Sequence, residues 1–597
     1  MFKRSIAVLL TLTLAIPATN LPAAPAPAGG GTFAIVGATV FDGTGAAPEV
    51  ETVVVSDGRI LAVGPKVKIP RGARIIKAGG KALLPGFFDV HTHWTPAGSP
   101  GTTPQIATAY IRAGVTTVTD FHEPPESYAP RRAWLETLAA PHVRFAARIS
   151  TPGGHGADWA DQATTIWINT PEAARAAIKG LEAYQPDLIK AFTDGWRYGT
   201  RPDNTSMDEW TLRALAEEAH KHDWPVLTHT VTVDRGLVAA RAGVDSLAHG
   251  LQDREVTAEE VAEIKKSGIA MAPTLAVYDP YKNGPIGETD DPRVQQSIRK
   301  FGYALHNVKV LFDAGVPIGV GTDAGMTGTP HGSSTLHELE LLVKAGLTPG
   351  QALVAGTRTS AQILHLDKDR GTIAPGKRAD IVLIDGAPWA NIADVHKISQ
   401  VYIDGKLVSG TGAPPLPAAN LADRLPSVKI PALVDDFERP DKRSSLDTLR
   451  VETADGGLDR TVEITQVVPR DGGGKALSLA ARMAVKEHAY AGFAVPLTRG
   501  SVTPVDLGGY QGLRFDFKGE GTYTVRLNGL DGVWEAKVTG QPGWKTIEVP
   551  FTAFAPVARG KKPGAAFTGD GITQAEFGGS RPAGQRMWLQ IDNIRFY

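Results

Sequence analysis

The sequence predicts an α/β fold: a (β/α)₈ barrel of TIM type, a small composite β-sandwich beside it, and a C-terminal all-β domain of jelly-roll type. Three observations lead to this prediction. Between residues 84 and 369, β-like runs that end in a polar residue alternate with helical sequence. Strand-and-turn segments flank this region at 33–83 and 370–410. From 430 to 597, short runs alternate apolar with polar residues, the period of a strand.

The N-terminal residues 1–28 predict a signal peptide. Lys3 and Arg4 precede an apolar run from Ile6 to about Ile16, and Ala26-Pro27-Ala28 offers a small-residue cleavage site. The apolar run is shorter than the roughly 20 residues that a membrane span needs. We therefore expect a periplasmic or secreted protein without a transmembrane segment.

The two flanking segments carry the signals of tight β-hairpins. Asp57-Gly58 interrupts the run from Thr52 to Val63, and Asp404-Gly405 interrupts the run from Gln400 to Val408. An Asp-Gly pair between two β-like runs favours a two-residue turn. We expect the two segments to meet as one composite β-sandwich, although the whole barrel separates them along the chain.

Within the barrel region, the elements alternate as the fold requires. Val115 to Thr119 is rich in β-branched residues and predicts a barrel strand. Residues 107–113 and 207–222 have helical spacing. Asn204-Thr205-Ser206, just before the second helix, predicts its N-cap.

Polar residues at the ends of the predicted barrel strands are of metal-ligating or basic type. They are His91, His93, Lys190, His229, His249 and Asp323. The C-terminal ends of all the strands meet at one mouth of such a barrel, where active sites lie. His91 and His93 share a strand face because they are two residues apart. A pair of metal ions held there would share and deprotonate a hydroxide and polarise a scissile carbonyl.

Lys190 differs from the other five residues. Its position after Leu188-Ile189 and before Ala191-Phe192 favours burial. An ammonium group cannot ligate a cation, so Lys190 is either a misfit or a carbamate made with carbon dioxide, which is an anionic bridging ligand.

Longer strings around these residues resemble the amidohydrolase superfamily, and within it the imidazolonepropionase-like and Xaa-Pro dipeptidase-like group. The strings are Leu84 to His93, His337 to Thr348 and Gly371 to Val382. The resemblance runs from about Phe33 to Val408.

The resemblance implies a two-metal site with zinc as the expected ion. One metal would be held by His91, His93, Lys190 and Asp323, and the other by carbamylated Lys190, His229 and His249. Asp323 would also carry the proton of the attacking water.

Residues in the loops at the mouth are candidate catalytic and substrate contacts. His155, in a glycine-rich stretch that resembles a motif of the dipeptidase-like group, would donate a hydrogen bond to the polarised carbonyl. The aromatic and basic candidates are Trp94, Trp196, Arg197 and Tyr198. The sequence departs from the dipeptidase-like group at 191–195 and at Thr230-Val231, and both departures put Xaa-Pro specificity in question.

Composition excludes several classes of function. With 62 basic and 63 acidic residues the net charge is −1, which does not indicate nucleic-acid binding. The chain has no cysteine, so disulfides, thiolate catalysis, Cys-zinc sites and a lipoprotein anchor are excluded.

The C-terminal third predicts a separate module. Residues 411–429 are rich in Pro, Ala and Gly and predict a linker. Val434 to Glu438 and Ile591 to Ile594 resemble the complex I intermediate-associated and galactose-binding-like modules, which implies a glycan or cell-surface ligand. The alternative is a sandwich that only packs on the enzyme or aids its stability.

Together these features predict an exported, metal-dependent amidohydrolase with a small-molecule substrate. We expect it to cleave an amide bond in a dipeptide or an N-acyl amino acid. The alternatives are a cyclic-amide or lactone hydrolase on the same site, and a non-catalytic carbohydrate- or partner-binding protein with a relic barrel. A deaminase is disfavoured, since such enzymes usually work with one metal and need no bridging lysine. Whether the chain forms a homo-oligomer stays open.

Overall fold

The computed structural model describes residues 31–94, 103–156, 164–193, 205–416, 425–456, 459–558 and 564–597. The predicted signal peptide, part of the predicted linker, and the candidate contacts Trp196, Arg197 and Tyr198 lie outside these ranges. Within the described ranges, no helix combines the length and the apolar character that crossing a bilayer requires.

From residue 31 onward, five strands precede the barrel: β1 (Phe33–Val40), β2 (Glu49–Ser56), β3 (Arg59–Gly64), β4 (Arg74–Lys77) and β5 (Ala82–Pro85). The predicted turn between β2 and β3 is present. Ser56 pairs with Arg59, and Asp57 and Gly58 between them have φ values of 52° and 77°. Two consecutive positive φ values are what a tight hairpin needs, and Asp-Gly tolerates them.

The next strands form the barrel: β6 (Phe87–Thr92), β7 (Val115–Asp120), β8 (His142–Ser150), β10 (Leu188–Phe192), β11 (Val226–His229), β12 (Ser246–Leu247) and β13 (Ala270–Met271), with β9 (Thr165–Trp167) added beside β8. Neighbouring strands are parallel. The segment 318–324 closes the ring, since Met271 bridges Ile318 and Thr92 bridges Ala324. The predicted barrel is confirmed.

Helices follow the barrel strands and cover them: α1 (Thr103–Arg112), α2 (Tyr128–Leu135), α3 (Pro171–Leu181), α4 (Glu209–His220), α5 (Val233–Ala242), α6 (Ala258–Ser267), α7 (Leu275–Tyr278), α8 (Pro292–Ala314), α9 (Ser333–Ala345), α10 (Pro349–Val354) and α11 (Ser360–Ile363). The predicted N-cap of α4 is wrong. Asp208 caps this helix by accepting the Thr211 N–H at 2.9 Å. The Thr205 and Ser206 hydroxyls instead donate to the carbonyls of Pro152 and Thr193.

After the barrel the chain returns to the first sheet with β14 (Ile381–Ile384), β15 (Ile398–Ile403) and β16 (Lys406–Gly410). The sheet order is β16-β15-β14-β5-β1-β2-β3, with β4 beside β1. Antiparallel pairing of Leu83 with Leu383 joins the two flanks of the barrel in one sheet. This confirms the predicted composite β-structure.

The C-terminal domain is all β. Its strands are β17 (Leu433–Asp435), β18 (Val451–Glu452), β19 (Val462–Pro469), β20 (Lys475–Arg482), β21 (Ala491–Pro496), β22 (Gly512–Gly519), β23 (Gly521–Gly529), β24 (Val533–Gly540), β25 (Lys545–Pro550), β26 (Ala555–Pro556), β27 (Ile572–Gly579) and β28 (Arg586–Phe596). They form two antiparallel sheets around one apolar core, as predicted.

The C-terminal domain contacts the barrel at the segment that follows β7. The Arg443 guanidinium donates to both carboxylate oxygens of Glu126, at 3.0 and 2.7 Å. Gly500 lies so close that a Cβ there would be 2.5 Å from the Cα of Ser127. The two domains therefore share a direct, closely packed contact.

Candidate metal centre

The first two candidate ligands come from β6. Phe87, Phe88 and Val90 are fully buried apolar residues that hold this strand in the barrel wall. His91 is 1% exposed, and its ring centroid lies 5.5 Å from that of His93. Both imidazoles lie at the C-terminal end of the strand, which is the mouth of the barrel.

Asp323 is brought to these histidines by the segment that closes the barrel. Its N–H donates to the carbonyl of His91 at 2.8 Å, and its φ is 60°, in the left-handed region. Its Oδ1 lies 3.1 Å from His91 Nε2 and 2.9 Å from His93 Nε2. Gly321 permits this approach, since a Cβ there would lie 2.9 Å from the Cβ of His91. One carboxylate oxygen thus meets two imidazole nitrogens.

A buried carboxylate, Asp89, ties β6 to the Asp323 segment. It accepts hydrogen bonds from the Thr322 N–H at 3.1 Å, from the Thr322 hydroxyl at 2.7 Å and from the Thr335 hydroxyl at 2.7 Å. Burial raises its pKa to about 7, despite these hydrogen bonds. Asp89 thus fixes the position of Asp323 relative to His91 without lying among the ligands.

Lys190 lies beside the same group, on β10. Its side chain is 1% exposed, and its Nζ is 3.4 Å from His91 Nε2. The Nζ also lies 4.5 Å from the ring centroid of Phe121. The lysine therefore points into the barrel and does not extend into solvent.

The remaining imidazoles form a continuous group of rings. The His249 centroid lies 4.7 Å from that of His91 and 4.4 Å from that of His229. His155, from the loop after β8, stacks on His229 at 4.1 Å. The structure thus gathers His91, His93, His155, Lys190, His229, His249 and Asp323, which we call the mouth cluster.

Burial sets the charge of the mouth cluster. It lowers the pKa of His91 to about 3, helped by nearby Lys190, and it lowers the pKa of His229 and His249 well below the ordinary value. Burial also lowers the pKa of Lys190 well below its usual range. For Asp323, burial alone would raise the pKa, but His91 and His93 lower it well below its ordinary value. The result is neutral imidazoles at His91, His229 and His249 near one ionised carboxylate.

The mouth cluster fits a divalent metal. One ligand atom from each of His91, His249 and Asp323 lies within 4.8 Å of the others, and neutral imidazole with carboxylate is a donor set that zinc accepts. The Nδ1 of His91 is buried without a hydrogen-bond partner among the described residues. The His91 nitrogen that faces Asp323 is Nε2, at 3.1 Å from Oδ1, so Nε2 is the atom that a cation in the cluster would bind.

Three residues next to the site were not predicted from the sequence. His122 follows β7, and its Nδ1 lies 3.4 Å from His93 Nδ1. Thr274 contacts His249 Nδ1 through its hydroxyl at 2.7 Å, and the Tyr278 ring lies edge-on to His249 at 5.5 Å. A polar residue just after the predicted strand 115–119 was a usable signal for His122. Nothing in the local sequence indicated Thr274 or Tyr278.

Trp94 lies elsewhere than the sequence suggested. It is 3% exposed and stacks on Tyr110 at 5.9 Å, within the main apolar core. Its backbone N–H donates to the Asp120 carboxylate at 3.1 Å. A role in substrate contact remains a prediction for Trp94, as for the candidates at 196–198.

A closed α/β barrel with imidazoles, a lysine and a carboxylate at its mouth defines a class of metal-dependent hydrolases. The chain belongs to the amidohydrolase family, whose model matches residues 82–408. It is thus a hydrolase acting on C–N bonds. The model of the Complex I intermediate-associated protein 30 matches residues 465–591. Both matches confirm the resemblances found in the sequence.

The relatives have low sequence identity to this chain, but the matches cover most of their length. An imidazolonepropionase of Haloarcula marismortui is 25% identical over 397 residues, covering 60% of this chain and 89% of that protein. An enamidase of Eubacterium barkeri is 25% identical over 396 residues, covering 60% and 90%. A solved structure from Bifidobacterium longum, provisionally assigned as a prolidase, is 28% identical with a TM-score of 0.56 and covers 64% of this chain and 96% of that one.

Proposed function

We propose that this chain is an exported, binuclear metal-dependent amidohydrolase that cleaves the amide bond of a dipeptide or an N-acyl amino acid. The observation that carries the proposal is the mouth cluster, in which neutral imidazoles, a buried lysine and one ionised carboxylate converge at the C-terminal ends of the barrel strands. The similarity to the Bifidobacterium longum protein assigned as a prolidase supports a linear amide as substrate.

The ligands divide into two sets that share Lys190. His91, His93, Lys190 and Asp323 would hold one ion, and Lys190, His229 and His249 the other. Divalent ions bound there would supply an activated water and polarise the substrate carbonyl.

Lys190 would take part as a carbamate. Its amine nitrogen adds to carbon dioxide, a new N–C bond forms, and one amine proton is released, which leaves an anionic group with two oxygens. A buried, uncharged amine suits this addition, and Lys190 is buried against Phe121 and His91. The product carries the negative charge that a bridging ligand between two cations needs.

Asp323 and His155 would handle the proton and the carbonyl. The Asp323 side chain is 13% exposed, so it reaches the mouth, and its ionised form accepts the proton of the attacking water. It then returns this proton to the leaving amine nitrogen. His155, stacked on His229 at the rim, would donate a hydrogen bond to the substrate carbonyl oxygen.

Export and surface binding are further parts of the proposal. The basic and apolar pattern of residues 1–28 supports export to the periplasm or beyond. The resemblance of Val434 to Glu438 and Ile591 to Ile594 to galactose-binding-like modules supports a glycan or cell-surface ligand for the C-terminal domain.

A second candidate is hydrolysis of a cyclic amide on the same site. The similarity to an imidazolonepropionase favours it, because an imidazolone holds its amide inside a ring. The same ligands and the same proton carrier would serve both reactions.

Metal analysis with a substrate panel tests the proposal. We expect about two equivalents of divalent metal per purified chain, and turnover of dipeptides or N-acyl amino acids. Preferential opening of lactams or lactones would establish the second candidate. A chain that binds no metal and cleaves none of these compounds would leave only a binding protein with a relic barrel.

A further inference from the structure

We propose that Glu338 and Thr274 are positioning residues for His249: Glu338 fixes the loop that carries Thr274, and Thr274 fixes the imidazole. This inference rests on the proposed function only in taking His249 as a metal ligand. It also gives a role to the segment from His337 to Thr348, which contributes no residue to the mouth cluster.

The contact between Thr274 and His249 sets the imidazole. The Thr274 hydroxyl oxygen lies 2.7 Å from His249 Nδ1, and both residues are buried. With Nδ1 engaged as a donor to this oxygen, Nε2 keeps the lone pair that a metal needs. A hydrogen bond of this kind fixes the tautomer and the ring orientation of a ligand histidine.

Thr274 is held in an unusual backbone conformation. Its φ of 49° and ψ of 45° lie in the left-handed region, which β-branched residues rarely adopt. Such a conformation persists only where the surroundings impose it. The hydroxyl therefore owes its position to a restraint outside Thr274 itself.

Glu338 supplies this restraint from α9. One of its carboxylate oxygens accepts the Leu275 N–H at 2.8 Å, and the other accepts the Ala276 N–H at 2.7 Å. The side chain is fully buried, so both hydrogen bonds form away from water. Leu275 directly follows Thr274, and these bonds lock the chain at the point where it turns into α7.

The same face of α9 supports the other half of the mouth cluster. Thr335, three residues before Glu338 and hence on the same helix face, donates to Asp89 at 2.7 Å. Asp89 in turn accepts the Thr322 N–H next to Asp323. One helix face thus orients His249 through Glu338 and Asp323 through Thr335.

Zinc affinity of the full-length chain tests the proposal, measured by competition with a chromogenic chelator. Thr274→Val keeps the shape of the side chain but removes the hydroxyl, and we expect the site that contains His249 to bind zinc about 10- to 100-fold less tightly. Thr274→Ser keeps the hydroxyl and should restore most of the affinity. Glu338→Gln should weaken the same site about tenfold.

The double variant Thr274→Val with Glu338→Gln distinguishes an effect of Glu338 through Thr274 from a general destabilisation of the protein. If Glu338 acts through Thr274, the double variant should bind zinc no more weakly than Thr274→Val alone. Asp394→Asn is the matched control, because Asp394 also accepts a backbone N–H, that of Ala387 at 2.9 Å, but in the composite β-sandwich. It should lower the melting temperature without changing zinc affinity.

Wild-type zinc affinity in Thr274→Val, or fully additive losses in the double variant, would overturn the proposal. A wild-type chain that binds no zinc would instead overturn the proposed function, so the two failures are distinguishable.

Discussion

Two clusters of histidine and aspartate lie at opposite ends of the barrel. The first contains His91, His249 and Asp323 at the mouth, and the second contains His142, Asp380 and Asp404 at the base. The base cluster forms where β8 begins and where the chain enters β14 and turns between β15 and β16. By residue type and by spacing alone, both are candidate metal sites.

The partners of the carboxylates distinguish the two clusters. At the base, the Arg378 guanidinium donates to Asp404 at 2.6 Å, and Arg370 lies 3.6 Å from Asp380. His142 Nε2 lies 3.2 Å from the same Asp380. At the mouth, Asp323 faces the imidazoles of His91 and His93.

A guanidinium lies beside each of the two carboxylates and offsets the negative charge that would attract a cation. The base cluster is therefore an ion-pair network that fastens the composite β-sandwich to the bottom of the barrel. The mouth cluster has buried, neutral nitrogen donors around one anion, which a cation would complete. Proximity of ligand types therefore does not define a metal site, whereas the charge balance around them does. Residues at the mouth serve chemistry in such barrels, and residues at the base serve stability.

The largest expected effect is that of Lys190→Ala. If the carbamate bridges two ions, the variant should lose at least one metal equivalent and nearly all turnover while it keeps its fold. Elemental analysis, circular dichroism and a rate assay measure these three quantities. Short carboxylic acids added to the variant should restore part of the activity by filling the vacated anionic position.

The matched control for Lys190→Ala is Lys221→Ala, at a mostly exposed lysine that follows α4. It should change neither metal content nor rate. A Lys190→Ala protein with full metal content and normal turnover would refute the bridging role.

The next effect is that of Asp323→Asn. The amide keeps the size of the side chain but cannot accept the proton of the attacking water, so kcat should fall about a hundredfold or more, with a smaller change in KM. Steady-state kinetics on the metal-loaded protein measure both values. A loss confined to KM would mean that Asp323 binds substrate and moves no proton.

Asp380→Asn should give the opposite pattern. Removing the charge of Asp380 should cost about 2 kcal/mol of stability, because Arg370 and His142 each lose one anionic partner but keep another, Asp369 and Asp404 respectively. Metal content and kcat should stay at wild-type values. Thermal melting and elemental analysis measure these quantities. Loss of metal in this variant would show that the base cluster is not purely structural.

The pH dependence of this variant follows from the pKa of Asp380. Burial alone would raise that pKa, but His142 and Arg370 hold it below its ordinary value of 3.8. A depressed pKa in the folded state gives stability that is present above the ordinary value and lost as the pH falls through the folded value. The stability gap between wild type and Asp380→Asn should therefore close only in strong acid.

Short sequence patterns predicted those features of the structure that depend on neighbouring residues along the chain. Histidines two residues apart at a strand end predicted that His91 and His93 share a face, and Asp-Gly pairs predicted both hairpin turns. The order of polar strand ends predicted the barrel, because strand direction alone brings those ends together.

Contacts between distant segments escaped prediction for a physical reason. The base cluster joins His142 to Asp380 across 238 residues, and no local pattern encodes such a pairing. Thr274 adopts its left-handed conformation because Glu338 holds the following residues, not because threonine favours it. The N-cap of α4 is a further case, because the Thr205 and Ser206 hydroxyls donate to the carbonyls of Pro152 and Thr193, and Asp208 caps the helix.

The smallest expected effect concerns a third charge cluster, where the C-terminal domain meets the barrel. It pairs Arg443 with Glu126 and so resembles the base, which predicts a structural role. Glu126→Gln should cost about 1–2 kcal/mol, since glutamine keeps one acceptor and Arg443 keeps its bond to Asp447 at 2.7 Å. Glu548→Gln, at an exposed pair with Arg514, is the control and should cost almost nothing.

Thermal melting and kcat of the full chain show whether the contact between the C-terminal domain and the barrel affects stability or catalysis. The Glu126 segment follows His122, whose ring faces the metal-ligand candidate His93, so a connection to the mouth exists in the structure. If the boundary is structural, Glu126→Gln lowers the melting temperature and leaves kcat and metal content unchanged. A fall in kcat without loss of stability would show that the C-terminal domain acts on the mouth through His122, and charge balance alone would then not separate structural clusters from functional ones.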